Sequence, residues 1–243
     1  METYNEFEQP TGPEKSAGAI ISYAFEVYKG VFLYAIAAIL IMTAVSFFIQ
    51  PVSGFNMNDL TDEYSSSPET FSENMWSIPG IKAYYGLSGL VSILLAPLMV
   101  GVIYISNKYN LKEPVSISDL LIGFKQNFLN ILIYTIIASV IIGVTGAMCF
   151  FPLIFVLPLL LLGYPILLFE NASFSEALRK SFKIGKENYG TLLGASFLGL
   201  LVSIAGVFLC FVGIVFTLYF YLVVMYSAYC AYCGRPRPIL VNK

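Results

Sequence analysis

Histidine is missing from the entire 243-residue chain. Its absence removes the commonest general base and the commonest transition-metal ligand, and with them Ser-His-Asp triads, Cys-His pairs and His-bound metal centres. Charge is scarce too: 12% of the residues are Asp, Glu, Lys or Arg, and the formal net charge is −2. Nothing in that balance draws the whole chain to nucleic acid. Cysteine is limited to four residues, of which Cys230 and Cys233 form C-A-Y-C. A redox motif needs a thioredoxin-like context and a metal site needs further ligands, and neither accompanies them. The stretch METYNEFEQPTGPEK has no basic region, apolar run and small-residue cleavage site in series, so no cleavable signal peptide is expected. No metal, no cofactor and no enzymatic activity are expected from this residue set.

Apolar length is what the chain has in abundance. Hydrophobic residues make up 58% of it, and the mean hydropathy is +0.78, far from the globular average. A spanning helix needs roughly 20 apolar residues. Six stretches qualify: 31–49, 83–106, 128–147, 152–169, 190–209 and 213–232. None contains Asp, Glu, Lys or Arg, which argues against a proton-coupled transporter or an intramembrane protease, since both rely on ionisable groups at membrane depth. Pro158 and Pro165 should kink or unwind the fourth stretch.

The expected fold is an all-α membrane protein of six transmembrane helices in three hairpins, each preceded by a cytoplasmic amphipathic interfacial helix. Residues 1–13 read as a disordered cytoplasmic tail, 14–232 as the transmembrane domain and 233–243 as a second cytoplasmic tail. Residues 50–82 form an acidic extracytoplasmic loop, with Asp59, Asp62, Glu63, Glu69 and Glu73 against Lys82. Without EF-hand spacing a hydrophilic excursion is preferred there to a cation-binding cap, and Trp76 marks the return to headgroup depth. Every Lys and Arg except Lys82 falls in the terminal segments or in the stretches preceding the odd-numbered spans. The excess of basic residues on cytoplasmic loops then places both termini inside, in a bacterial inner membrane.

The clearest amphipathic stretch is NASFSEALRKSFKIGKENY, residues 171–189. Ser173 with Glu176 forms a capping box that starts a helix. Phe174, Ala177, Leu178, Ser181, Phe182 and Gly185 recur at helical spacing, leaving Arg179, Lys180, Lys183 and Lys186 on the other face. Flanked by apolar spans, such a helix is expected to lie in the membrane interface and to attract anionic lipid headgroups. Residues 107–127 hold a second copy, with Ser116 and Asp119 as its cap, and residues 16–29 a fainter third. Small residues at every fourth position, Ser139, Gly143 and Ala147 in the third span and Thr191, Ala195, Gly199 and Ser203 in the fifth, predict that those two helices pack together.

Three further features bear on function. Tyr219, Tyr226 and Tyr229 share one face of the sixth span and are candidate cavity-lining residues, with packing between helices as the alternative. Cys149 and Cys210 fall at corresponding outer turns, a candidate disulfide between hairpins. The run LLFENASFSEALRKSFKIGKENYGTLLG resembles a broad group of small bacterial membrane proteins that includes the membrane domain beside some glycerophosphodiester phosphodiesterases. Pro165, Glu170, Ser173, Glu176, Ala177, Leu178, Ser181 and Lys186 carry the resemblance. The catalytic domain has no counterpart here, so the resemblance implies no enzyme activity. The expected function is that of a non-catalytic integral membrane protein that interacts with lipid, organises the membrane or scaffolds partners, with a membrane-protein partner or a second copy of itself as further expectations. The alternative is a transporter or channel for a lipid-like or small neutral solute.

Overall fold

A computed structural model describes residues 12–148, 151–208 and 212–239. All regular structure among the described residues is helical. Helix α1 (Ala17–Phe47) starts at Ser16, whose hydroxyl accepts the Ala19 N–H at 3.2 Å. It buries Ile20, Ala24, Val27, Val31, Ala35 and Ala38, an unbroken stripe at spacings of three or four. That continuity is why the interfacial helix expected over 16–29 and the first span are a single helix, about 46 Å long at 1.5 Å per residue. Gly12 packs against the backbone of Cys230, so residues 12 and 13 are part of the packed structure rather than of a tail; residues 1–11 lie outside the described residues.

The acidic loop is folded. Short helices α2 (Ile49–Ser53), α3 (Met57–Ser66) and α4 (Phe71–Asn74) close over a separate apolar cluster of Phe55, Ile78 and Ile81. Asn56 caps α3 by accepting the Asn58 N–H at 3.0 Å, and the Asn74 amide donates to Glu63 at 2.9 Å. Gly80, at φ +76°, brings the chain back against the backbone of Gly54 and Phe55, an approach that a side chain would block. Trp76 is half exposed and packs on Tyr85 at 5.7 Å.

Helix α5 (Ile81–Asn110) contains Pro97. The next segment is a 3-10 turn, Ile117–Leu121, and α6 (Ile122–Lys125), folded back along α5. A Cβ at Gly101 would overlap the Leu120 carbonyl, and one at Gly123 would overlap the Pro97 carbonyl, so the two backbones touch. This second copy is therefore a clamp on α5 and not an amphipathic helix. Its capping box forms, with the Asp119 carboxylate accepting the Ser116 N–H at 2.8 Å and pairing with Lys108 at 2.9 Å.

Helix α7 (Phe128–Ala147) runs back across the molecule and is followed by α8 (Phe151–Leu160) and α9 (Gly163–Phe169), which are parts of one broken span. Helix α10 (Phe174–Glu187) meets α11 (Tyr189–Ala205) at 105°. The last span is also broken, into α12 (Val212–Thr217) and α13 (Phe220–Cys233). Among the described residues, five helices or broken helices are long and apolar enough to cross a membrane, and six if α10 and α11 are counted together. The protein is a multi-pass α-helical membrane protein.

The helices expected to pack together through small residues do not. Helix α7 packs on α5 and α8, whereas α11 packs on α1, α8 and α13. Gly199 of α11 receives Val224 and Tyr221 of α13, and nothing stands within 4 Å of a Cβ at Gly143. The small face of α11 serves α13, whereas Ser139, Gly143 and Ala147 of α7 are exposed. Cys149 and Cys210, the candidate disulfide, lie outside the described residues.

Candidate cavity and its helical latch

The bundle has two zones. Toward the end that carries Ala17, Asn110, Glu170 and Cys233, the interior is tightly filled: Ile20, Val102, Leu120, Leu161, Ile166, Leu168, Ala177 and Tyr226 are fully or almost fully buried. Toward the other end, large apolar side chains such as Leu33, Phe47, Val140 and Phe151 face outward at 60–75% exposure, as lipid-facing residues do when lipid replaces water around a helix. In that zone α7, α8, α11 and α13 surround a cavity of about 480 Å³. A smaller one of about 260 Å³ adjoins it on the α1 side, sharing Met99, Leu218 and Tyr219.

The walls of the larger cavity are almost wholly apolar, with no charged residue among the described lining. Four tyrosines contribute rings, but each hydroxyl is bonded within the protein. Tyr134 donates to the Leu160 carbonyl at 2.9 Å, Tyr164 pairs with Thr135 at 3.0 Å, Tyr221 pairs with Ser196 at 2.6 Å and Tyr219 donates to the Met42 sulfur at 2.6 Å. Ser203 differs. It belongs to the same lining, but its hydroxyl is buried away from the open space and has no hydrogen-bond partner among the described residues, whereas Ser139, also in the lining, is exposed. Ile142, Ile204 and Leu218 also line the cavity while remaining exposed on the outer surface, so its rim is on the lipid-facing side.

The floor is built at the break between α8 and α9. Pro158 cannot donate a helical hydrogen bond, and the helix stops at Leu160. Freed backbone groups in an apolar interior need partners. Ser181 of α10 supplies two, donating to the Leu159 carbonyl at 2.6 Å and accepting the Leu162 N–H at 3.3 Å, and Tyr134 supplies a third at Leu160. Ala177, Ser181 and Gly185 form the buried edge of α10. A Cβ at Gly185 would stand 3.0 Å from the Leu159 Cα, so only a small residue permits this approach. Helix α10 is thus a latch laid across a discontinuous span, and its anchor point Leu159 adjoins the cavity-lining Leu160.

The opposite face of α10 carries the predicted cations. Lys180 is paired with Glu170 at 2.7 Å, while Arg179, Lys183 and Lys186 are exposed. The capping box is present, with the Glu176 carboxylate accepting from the Ser173 N–H at 2.9 Å and from its hydroxyl at 2.7 Å. Those two donors hold the Glu176 carboxyl below its ordinary range.

Of the three tyrosines expected to share a cavity, only Tyr219 lines one. Tyr226 and Tyr229 sit in the filled zone, because their turns of α13 pack against α5 and α9. Tyr226 donates to Asn107 at 3.1 Å and accepts from Asn110 at 2.9 Å, and Asn110 also donates to Tyr23. Tyr229 donates to Glu170 at 3.0 Å, joining the Lys180 pair. Sequence reasoning missed Tyr134, Ser181 as a backbone partner, and Ser203 as a lining residue. The available signal was Ser181 on the small face opposite the lysines, combined with two prolines in the preceding span.

No protein-family model, no curated protein and no solved structure matches the chain.

Proposed function

We propose that this is a non-catalytic membrane protein that takes an apolar constituent of the bilayer into the cavity between α7, α8, α11 and α13. The observation that carries the reading is the uncharged cavity itself: its rim faces the lipid side, and its floor is shut by the tightly filled zone. Pockets of about 300–1,000 Å³ hold ligands of ordinary size. A closed floor favours holding or presenting a molecule over passing it through, which ranks the lipid-interacting reading above the transporter or channel.

In this reading the latch end is cytoplasmic and the acidic cap is extracytoplasmic. Support comes from the contacts that join the starts of α1, α7 and α11 and the ends of α5, α9 and α13, segments in or beside which nearly all basic residues fall. Arg179, Lys183 and Lys186, with Lys180, then meet anionic headgroups, each exposed cation contributing roughly 1 kcal/mol. The expected test compares lipids co-purified with the wild type, with Ala138→Trp in the cavity wall, and with an Arg179, Lys183 and Lys186 to Gln variant. The cavity variant should lose a bound apolar species and the basic-face variant should lose anionic lipid. Identical lipid content in all three would overturn the proposal.

A further inference from the structure

We infer that the two adjoining cavities are lobes of one site, which holds the two hydrocarbon chains of a single lipid without net negative charge, taken from the leaflet at the end of the bundle that carries the acidic cap. The inference rests on the lipid-binding reading above and names its ligand. Shape, position and charge carry it.

The smaller cavity follows one face of α1, where Ile39, Met42, Thr43 and Ser46 line it over about 10 Å. The larger extends for about 12 Å along α7, from Tyr134 to Ile142. Their common wall is three side chains, Met99, Leu218 and Tyr219. Leu218 and Tyr219 sit at the break between α12 and α13, and the Tyr219 hydroxyl ties that wall to Met42 of α1. Leu218 is 46% exposed, so both cavities border one ridge on the lipid-facing surface. At about 260 Å³ the smaller cavity falls below the usual range for a ligand of its own, whereas with the larger one it offers about 740 Å³, well inside that range. Two apolar slots on either side of a ridge match two chains joined at one end. A single chain leaves one slot without packing contacts.

The mouths fix which leaflet supplies the molecule. Ser46 is one residue from the end of α1, Ile204 one from the end of α11 and Leu153 two from the start of α8, and Thr43, Ser46 and Ile204 are exposed. Helix α1 passes directly into the cap through α2, so these ends share the cap side. The chains therefore point inward along the helices, as they do in a leaflet. No Asp, Glu, Lys or Arg is found among the described lining residues of either cavity, and an unpaired ion loses too much solvation to enter such surroundings. The polar part of the lipid stays outside, at the cap. Asp59, Asp62, Glu69 and Glu73 are exposed there, and their field disfavours an anionic headgroup.

The test uses the purified full-length chain in detergent and native mass spectrometry, with didecanoylglycerol, its single-chain counterpart decanoylglycerol, didecanoyl phosphatidylcholine and didecanoyl phosphatidylglycerol as probes. The smaller lobe is blocked by Thr43→Trp on its rim or Met42→Trp within it, and the larger by Ala138→Trp or by Ile142→Trp on its rim, with circular dichroism checking that each variant is helical. Blocking the smaller lobe should weaken didecanoylglycerol roughly tenfold and leave decanoylglycerol within about twofold of wild type. Blocking the larger should weaken both. Didecanoylglycerol unaffected by either smaller-lobe variant, or decanoylglycerol weakened as much as the two-chain lipid, would overturn the two-chain assignment while leaving a lipid site in place. With Arg179, Lys183 and Lys186 changed to Gln, so that the basic face takes up no anionic lipid, phosphatidylcholine should bind roughly threefold more tightly than phosphatidylglycerol. Equal binding would overturn the charge assignment. No probe bound by the wild type, or binding unchanged in both larger-lobe variants, would overturn the cavity reading beneath it.

Discussion

Replacing Ser181 with Ala tests whether α10 holds the broken span together. The side chain is fully buried, and its hydroxyl donates to the Leu159 carbonyl at 2.6 Å and accepts the Leu162 N–H at 3.3 Å. The first bond is short and the second is near the limit of a hydrogen bond, so the orphaned carbonyl dominates the loss. Leaving a buried backbone group unpaired costs about 1–3 kcal/mol in a water-soluble protein. Within membranes, deletion of a side-chain hydrogen bond averages about 0.6 and reaches about 1.7 kcal/mol, because the unfolded chain also finds partners there. The break lies in protein rather than lipid, and α8 stops at Leu160, one residue past the Leu159 carbonyl, before α9 resumes at Gly163, which favours the upper part of the membrane range. The expected loss is about 1.5 kcal/mol, roughly a tenfold fall in the folded-to-unfolded ratio. Equilibrium unfolding in mixed micelles, followed by helical circular dichroism, measures it. Tyr134→Phe should release the adjacent Leu160 carbonyl, and the double variant should depart from additivity by at least about 0.5 kcal/mol, since neighbouring groups share one turn. A Ser181→Ala protein within about 0.3 kcal/mol of wild type, or strictly additive variants, would refute the latch.

Further outcomes follow from single positions. Gly101→Ala forces a methyl into the Leu120 carbonyl and should destabilise by about 1–3 kcal/mol, whereas Gly86→Ala, with nothing within 4 Å, should be neutral or stabilising by roughly 0.5–1 kcal/mol in the same unfolding assay. Glu176 is held below its ordinary pKa of 4.5 by the two Ser173 donors. Its contribution is complete above that value and is lost as pH falls through the lowered one, so Glu176→Gln should flatten the acid limb of an α10-specific amide exchange profile. Single cysteines at Lys186 and Asn58 should react with an impermeant maleimide from opposite sides of a sealed membrane. Labelling of both from one side would overturn the proposed orientation.

Long apolar runs and proline placement were legible in the sequence because they act locally. The spans, the capping boxes at Ser116 and Ser173 and the discontinuity near Pro158 all appear where residue chemistry puts them. What the sequence left open was which faces meet. Helix α1 shows the reason: Glu26 and Lys29 interrupt its apolar run and look like an interface boundary, yet both project from a stripe that continues from Ile20 to Ala38. The acidic stretch was misread because its small cluster of Phe55, Ile78 and Ile81 comes from both ends of the segment, beyond the reach of any periodicity. The cavity was invisible for a similar reason. Tyr134, Leu157, Ser203 and Leu222 lie on four helices, and no spacing within one helix announces that they surround a common space.

The position of that space follows from the two kinds of surroundings a membrane helix bundle has. In the proposed orientation the latch end leaves the hydrocarbon, and exclusion of water there drives the burial of Ile20, Leu120 and Ala177. Within the hydrocarbon, lipid tails solvate Leu and Phe as well as protein does, and no comparable force closes gaps between helices. An interior void there loses only packing contacts, which a bilayer molecule of matching shape restores. Holding the void open requires helices anchored elsewhere, and the Ser181 clasp at Leu159 and Leu162 supplies that anchor beside the floor. The same break that would weaken an isolated span therefore lets a firmly packed zone set the spacing of α7, α8, α11 and α13 above it.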